Sequence, residues 1–223
     1  YGYDIDVYAL LVSVVRLVST YPDKGWPKLK NCNYLLEENK EKFDFIVGNP
    51  PYRVNLDDST KAKLDEKYIT SEGEKDLYTF FLEESINRLN SDGCLVMLTS
   101  HTWLVNHQCK KIRKFIFEKS RVGAVYMLPA RFFTSAPGVL PVVLYTEKRS
   151  FEENYDINVF TDYSETKGWK SKFSASSNNF IAGNGLRNSI IPKELRPLFK
   201  KMEKSQLTFG DICRIGVGIQ ESV

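Results

Sequence analysis

The sequence predicts an α/β protein: an open sheet with helices on both faces, followed by the start of a second domain. Three observations predict it. Short apolar runs of strand type end at conformationally special residues, as where Phe43–Gly48 meets Asn49-Pro50-Pro51-Tyr52 and where 94–98 meets Thr99-Ser100. Segments with apolar residues at helical spacing alternate with those runs. After Lys148 the composition turns toward Ser, Asn and Gly. The chain of 223 residues, 42% hydrophobic, suffices for one full core and the beginning of another. The expected division is a core over 1–150, a peripheral segment or linker over 151–190, and a further domain starting over 191–223.

Tyr1-Gly2-Tyr3-Asp4-Ile5-Asp6 reads as the last residues of a strand, with Asp6 capping a helix over Val7–Thr20. Leu10, Leu11, Val14, Val15, Leu17 and Val18 keep helical spacing, and Tyr21-Pro22 stops the helix. An acid at such a strand end, here Asp4, can accept from ribose hydroxyls. Residues 31–36 read as a short strand end and turn. Residues 53–75 are polar and charged, a surface excursion with a short helix around 61–68. It is expected either to close over a nucleic acid or to stay a solvated loop. Asp76-Leu77-Tyr78 opens an amphipathic helix to about residue 90, with Leu77, Phe80, Phe81 and Leu89 inward. Ser91-Asp92-Gly93 ends it, a strand follows over 94–98, and a basic helix over 107–119.

Residues 122–128 form another strand, then Pro129-Ala130-Arg131-Phe132-Phe133-Thr134, and a strand over 139–146 after the turn Pro137-Gly138. Phe132 and Phe133 face opposite ways, so one is core and the other exposed. Residues 148–189 read as loose, with a strand-like stretch at 157–160. A short helix around 193–202 and strand-like sequence over 209–219 complete the chain.

Composition excludes more than it assigns. A net charge of +3 permits a nucleic-acid partner without requiring one. Four scattered cysteines and two histidines argue against a structural zinc site and for reduced thiols in a cytoplasm. No apolar run reaches membrane-spanning length. Basic residues at 110, 111, 113, 114, 167, 170, 172, 200 and 201 are candidate phosphate contacts, although such runs are usually solvated faces.

The chemistry concentrates at Asn49-Pro50-Pro51-Tyr52. Two prolines fix successive φ angles, remove two backbone donors and hold the preceding residues extended. The bland reading is a rigid turn. The chemical reading is a stiff corner presenting the Asn49 amide oxygen and the Pro50 carbonyl as acceptors, with the Tyr52 ring beside them. An exocyclic amine or carboxamide nitrogen is a poor nucleophile because its lone pair is delocalised. Two acceptors aimed at its N–H groups hold it in line with an electrophile and stabilise the positive charge that develops. A ring face such as Tyr52 adds about 1–3 kcal/mol of stacking to a nucleobase.

This corner resembles that of S-adenosylmethionine-dependent methyltransferases acting on amino or amide nitrogens. Residues 1–148 resemble the gamma-class N6-adenine DNA methyltransferases of restriction-modification systems, whose target-recognition domain follows the catalytic one. The resemblance implies a Rossmann-like fold, S-adenosylmethionine as cofactor, double-stranded DNA as partner, and a nuclease or specificity domain in the same parent chain. It implies that Asn49, Pro50 and Tyr52 are catalytic, and that Tyr52 and Phe133 sandwich a flipped-out adenine. It places Asp4 on the cofactor ribose, Ile5 on its adenine, Asn33 at the adenine amine, Tyr34 among the cofactor contacts, and Leu77 and Tyr78 against the adenine. Relatives carry aspartate where this chain has Asn33, which accepts but brings no charge. The glycine-rich turn of that family has no counterpart here, since Gly216-Val217-Gly218 is too sparse. The expectation is therefore an excised portion of a larger protein, its sheet incomplete at the N-terminal side, inactive alone. A glutamine-amide or RNA methyltransferase and a non-enzymatic nucleic-acid-binding module remain the alternatives.

Overall fold

The computed structural model describes residues 1–38, 41–52, 55–71, 76–132, 140–149 and 152–181, with isolated positions between 195 and 204. Two sheets organise them. A small parallel pair joins β1 (Gly2–Asp4) to β2 (Leu29–Asn31), linked by α1 (Val7–Thr20). The larger sheet has six strands in the order β3 (Phe43–Gly48), β4 (Leu89–Ser100), β6 (Pro141–Glu147), β5 (Arg121–Met127), β7 (Asp156–Ser164), β8 (Gly168–Ser176). β3 and β4 are parallel, as are β5 and β7, while β6 runs antiparallel between β4 and β5. The carboxyl ends of β3, β4, β5 and β7 thus share one edge, where α/β sheets place their sites. The α/β class holds.

The helices follow the chain's local chemistry. Asp6 caps α1, its carboxylate accepting from the Tyr8 N–H at 2.8 Å. Leu10, Val14 and Val18 are half-buried, but no residue of α1 is buried, and Leu11, Val12 and Val15 are exposed. Helical spacing rightly marks the helix; the fully packed face it suggests is not formed among the described residues.

α2 (Asp58–Lys67) is capped by Asp57, which accepts from the Thr60 N–H at 2.9 Å. It shares a core cluster with Leu35, Tyr68, Leu77 and Phe80 through Leu64. Both Glu83 oxygens accept from the backbone N–H groups of Ile69 and Thr70, at 3.1 and 2.9 Å. The described residues 55–71 are therefore packed on the body and not a solvated loop, and they hold the expected short helix.

α3 (Leu77–Asn87) is buried on two sides, with Leu77 and Phe80 in that cluster and Tyr78, Leu82 and Ile86 in the main core. Leu89, expected on this helix, instead begins β4 and pairs with Phe43. α4 (Thr102–Val105) and α5 (Lys110–Lys119) follow β4, and α5 supplies Ile112, Phe115, Ile116 and Phe117 to the main core.

Burial alternates along β4, where Leu95, Met97 and Thr99 are buried and Val96 and Leu98 only half so. One sheet face is covered by α3 and α5; the other stays half-exposed among the described residues.

Two expectations need correction. The strand-like stretch at 157–160 lies in β7, but the sequence after it is not loose as read: residues 156–181 form the β7–β8 hairpin and α6 (Ser177–Ile181), joined to β5 and contributing Ile157, Val159, Ala175 and Phe180 to the main core. Alternating apolar residues in that Ser-rich stretch were masked by its composition, which tracks solubility rather than pairing. Arg113, a candidate phosphate contact, is 1% exposed and donates to the carbonyls of Trp103 and Asn106 at 2.8 and 2.6 Å. It tethers α4 to α5.

Gly93 of β4 lies against the backbone at the start of β3. A Cβ there would lie 2.9 Å from the Phe43 carbonyl oxygen and 3.1 Å from that of Asp44. Backbone cannot swing aside as a side chain can, so Gly93→Ala is expected to cost about 1–3 kcal/mol. Chemical denaturation measures this, and an unchanged midpoint would show that the pairing is looser than it looks.

Candidate active site

β3 is an edge strand that delivers Asn49 to the sheet's carboxyl edge. Its ladder partner β4 holds one edge, and Phe45 and Val47, on one face of the strand, remain exposed. Pro50 is buried while Asn49 and Pro51 are exposed. The corner is thus anchored at Pro50 while Asn49 stays accessible, and the two prolines keep it stiff. The Tyr52 carbonyl accepts from the Leu77 N–H at 3.2 Å, tying the corner to the start of α3.

Between β3 and the β1–β2 pair lies a cleft of about 610 Å³, within the roughly 300–1,000 Å³ of small-molecule sites. Asp4, Ile5, Asn33, Tyr34, Asn49, Pro50 and Leu77 all line it. Candidate residues from four separate stretches of sequence thus meet on one cavity. The strand-end wall is held by Asn31, whose amide donates to the Asp4 and Ile5 carbonyls at 3.1 and 2.9 Å. The Asp4 carboxylate accepts from the Asp6 N–H at 2.9 Å. Asn33 accepts from the Leu35 N–H at 3.1 Å, so its side-chain oxygen already closes its own turn. The Tyr34 ring stacks on Phe81 at 5.6 Å, and its hydroxyl lies 3.3 Å from that of Ser85. Burial raises the Tyr34 pKa and keeps the phenol neutral.

Other residues depart from expectation. Tyr78 is fully buried with its ring 6.0 Å from that of Tyr52, so its side chain belongs to the core and does not line the cleft. The helical period explains this: Leu77 faces the cleft, and the next position turns about 100° away. Tyr52 is half-buried against that ring, and burial pushes its pKa up. Its hydroxyl has no hydrogen-bond partner among the described residues. Phe133 lies outside the described residues. Neighbouring Phe132 is exposed, with its ring 6.2 Å from Tyr163. His101, of no assigned role, has its pKa lowered by burial.

Sequence reasoning missed the wall formed by Leu56, Thr60 and Leu64, and missed Phe81 and Ser85 from α3. The signal available was Asp57 three positions before Thr60, a helix start inside an otherwise polar run.

The cleft's donor set suits a nucleoside-type ligand. Carboxylate and amide groups sit at two strand ends, beside exposed apolar surface from Ile5, Phe45 and Val47. No group of three or more metal-ligating side chains occurs among the described residues.

Comparison with known proteins follows the same line. The model of the Eco57I restriction-modification methylase family matches residues 20–133, just over half of the chain. The chain is 29% identical over 129 residues to the type II methyltransferase M.BstVI of Geobacillus stearothermophilus, covering 56% of this chain and 23% of that protein. It is 26% identical over 192 residues to the type II restriction enzyme and methyltransferase RM.Eco57I of Escherichia coli, covering 81% and 19%. Among solved structures, the type IIG restriction endonuclease BpuSI superposes with a TM-score of 0.67 at 17% identity, over 92% of this chain and 28% of that one. That likeness speaks for the fold. The chain spans about a quarter or less of the length of these relatives.

Proposed function

The chain belongs to the Eco57I restriction-modification methylase family, and from that premise we propose that it carries the catalytic core of a site-specific DNA methyltransferase. The reaction is transfer of a methyl group from S-adenosylmethionine to N6 of an adenine flipped out of duplex DNA. The observation that supports it best is the shared cleft: Asn49 and Pro50 stand on the same cavity as Asp4, Ile5 and Asn33. A methyl donor held at the strand ends and an amine held at the corner would meet there.

The residues divide the work as follows. Asp4 accepts from ribose hydroxyls, Ile5 and Leu77 pack on the adenine, and Asn33 with Tyr34 borders its amine. S-adenosylmethionine supplies an electrophilic methyl group. Asn49 and the Pro50 carbonyl accept from the two N–H groups of the target amine, hold its nitrogen in line and stabilise the developing cation. The proton leaves after the transfer, so no strongly perturbed base is needed. Tyr52, and Phe133 from the other side, offer faces to the extruded base, which offsets the few kcal/mol of unstacking. Because Tyr52 is already half-buried on Tyr78, only part of its surface is available for this. We assign the region from about residue 191 to the start of a target-recognition domain and place a nuclease or specificity domain in the full-length protein.

The test incubates the full-length protein with labelled S-adenosylmethionine and, separately, duplex DNA, RNA and protein. Label recovered as N6-methyladenine in DNA is the expected result. Label in protein or RNA, or none in any substrate, overturns the proposal.

A further inference from the structure

The two walls of the cleft are not joined by any backbone ladder among the described residues, since β1–β2 and β3–β8 form separate sheets. Side-chain contacts bridge them: the rings of Tyr1, just before β1, and of Tyr3 on β1 meet that of Phe43 at 5.4 and 6.5 Å, and Arg88 reaches further elements. This residue caps α3 and is 3% exposed. Its Nε donates to Glu84 Oε1 at 2.7 Å, and its Nη2 donates to the Glu37 carbonyl at 3.4 Å. Its guanidinium lies 4.5 Å from the Tyr34 ring centre and 5.4 Å from that of Tyr3. Its own carbonyl accepts from the Phe43 N–H at 2.8 Å, where β3 begins. One residue thus touches β1, the turn after β2, α3 and the root of the strand that carries Asn49.

Around it the Tyr68 hydroxyl sits within reach of Glu84 Oε2, at 2.9 Å, and of the Leu35 carbonyl, at 2.7 Å. Glu84 is thereby linked to the same turn from a second side. Stability alone is a weak reason for such a cluster. A buried ion pair is often no better than well-packed apolar residues of similar volume. What it offers that apolar packing does not is direction. A planar guanidinium lying on one ring while donating to a fixed carboxylate allows few relative placements of its neighbours.

We infer that Arg88, held by Glu84 and lying on Tyr34, is a positioning residue that holds the cofactor wall of the cleft in the shape that binds S-adenosylmethionine. The inference rests on the proposed methyltransferase reading and extends it to residues outside the cleft. Arg88 touches neither reactant. It acts through Tyr34 and the turn that carries Asn33.

The test uses the full-length protein and steady-state methylation with S-adenosylmethionine and duplex DNA varied separately. Arg88→Lys keeps the charge but loses the planar stack and the fixed spacing of the donors to Glu84 and the Glu37 carbonyl. It is expected to raise KM for S-adenosylmethionine about tenfold, with kcat and KM for DNA each within about twofold, a 1.4 kcal/mol effect by the tenfold conversion. A purely structural role would lower the active fraction and leave both KM values where they were. Tyr34→Leu should show the same selective rise, and the double variant should be no worse than the poorer single one. Unchanged KM for S-adenosylmethionine in Arg88→Lys, or additive effects in the double variant, would overturn the inference while leaving the reaction intact. A wild-type protein that methylates nothing overturns the reaction and the inference together. If Arg88→Lys does not fold, Glu84→Gln, which matches the carboxylate in shape, takes its place: a selective rise in KM for S-adenosylmethionine supports the inference and an unchanged one overturns it.

Discussion

Asn49→Ala in the full-length protein is expected to lower the methyl-transfer rate by about 10²–10³-fold, the loss typical of removing one preorganised polar contact to developing charge. Its folding should be untouched. The Asn49 side chain is exposed, and the corner is held by the buried Pro50 and by the Tyr52 carbonyl instead. KM for S-adenosylmethionine should stay within about twofold of wild type, because the cofactor wall is a different part of the cleft. Asn49→Asp keeps an acceptor oxygen and should retain more activity than Asn49→Ala. Pro50→Ala keeps the carbonyl but frees φ, so it too should lose less. Rapid-quench measurement of a single turnover separates this chemical loss from product release. A single-turnover rate within about threefold of wild type in Asn49→Ala would remove Asn49 from the reaction.

Trp103→Ala is expected to produce the largest loss of stability, about 3–5 kcal/mol, as for other large aromatic residues deleted from a core. Trp103 is fully buried and belongs to the main core cluster. Its indole N–H donates to the Thr99 hydroxyl at 3.0 Å, and that hydroxyl lies 3.3 Å from the Val142 carbonyl. The truncation therefore leaves a cavity and also removes the donor that satisfies Thr99 at the end of β4. Trp103→Phe retains most of the ring and should cost distinctly less. Denaturant unfolding with a constant slope measures both. A loss below about 1 kcal/mol for the alanine variant would mean that the core closes over the gap far better than cores usually do.

The Thr99-Ser100-His101-Thr102-Trp103-Leu104 segment illustrates how residues at a sheet's carboxyl edge can serve packing. In the sequence it stands at a strand's carboxyl end, where a functional role is easy to suppose. In the fold Trp103 and Leu104 are core, and Thr99 serves the indole. The basic helix after it shows the same divide. Lys110, Lys111 and Lys114 are exposed as a charged face should be, whereas Arg113 turns inward to two carbonyls. Charge alone cannot tell these apart, because the tether depends on where α4 happens to lie.

What the sequence determined by itself was everything carried by short-range stereochemistry. The diproline corner after a strand, the Asp6 cap, the helix over Val7–Thr20, the helix opening at Leu77 and the strand character of β3 and of 94–98 all follow from φ restriction, capping and apolar period. What the tertiary structure alone decided was which distant groups meet. It brought Asp4, Asn33 and Asn49 onto one cleft, docked the polar excursion through Leu64 and Glu83, and added the β7–β8 hairpin to the sheet. It also sent Tyr78 into the core where Leu77 faces the cavity. The physical reason is range. Local propensity acts over a few residues, while burial and pairing are settled between segments far apart in the chain, as when Arg88 closes on Tyr34 and the Glu37 carbonyl.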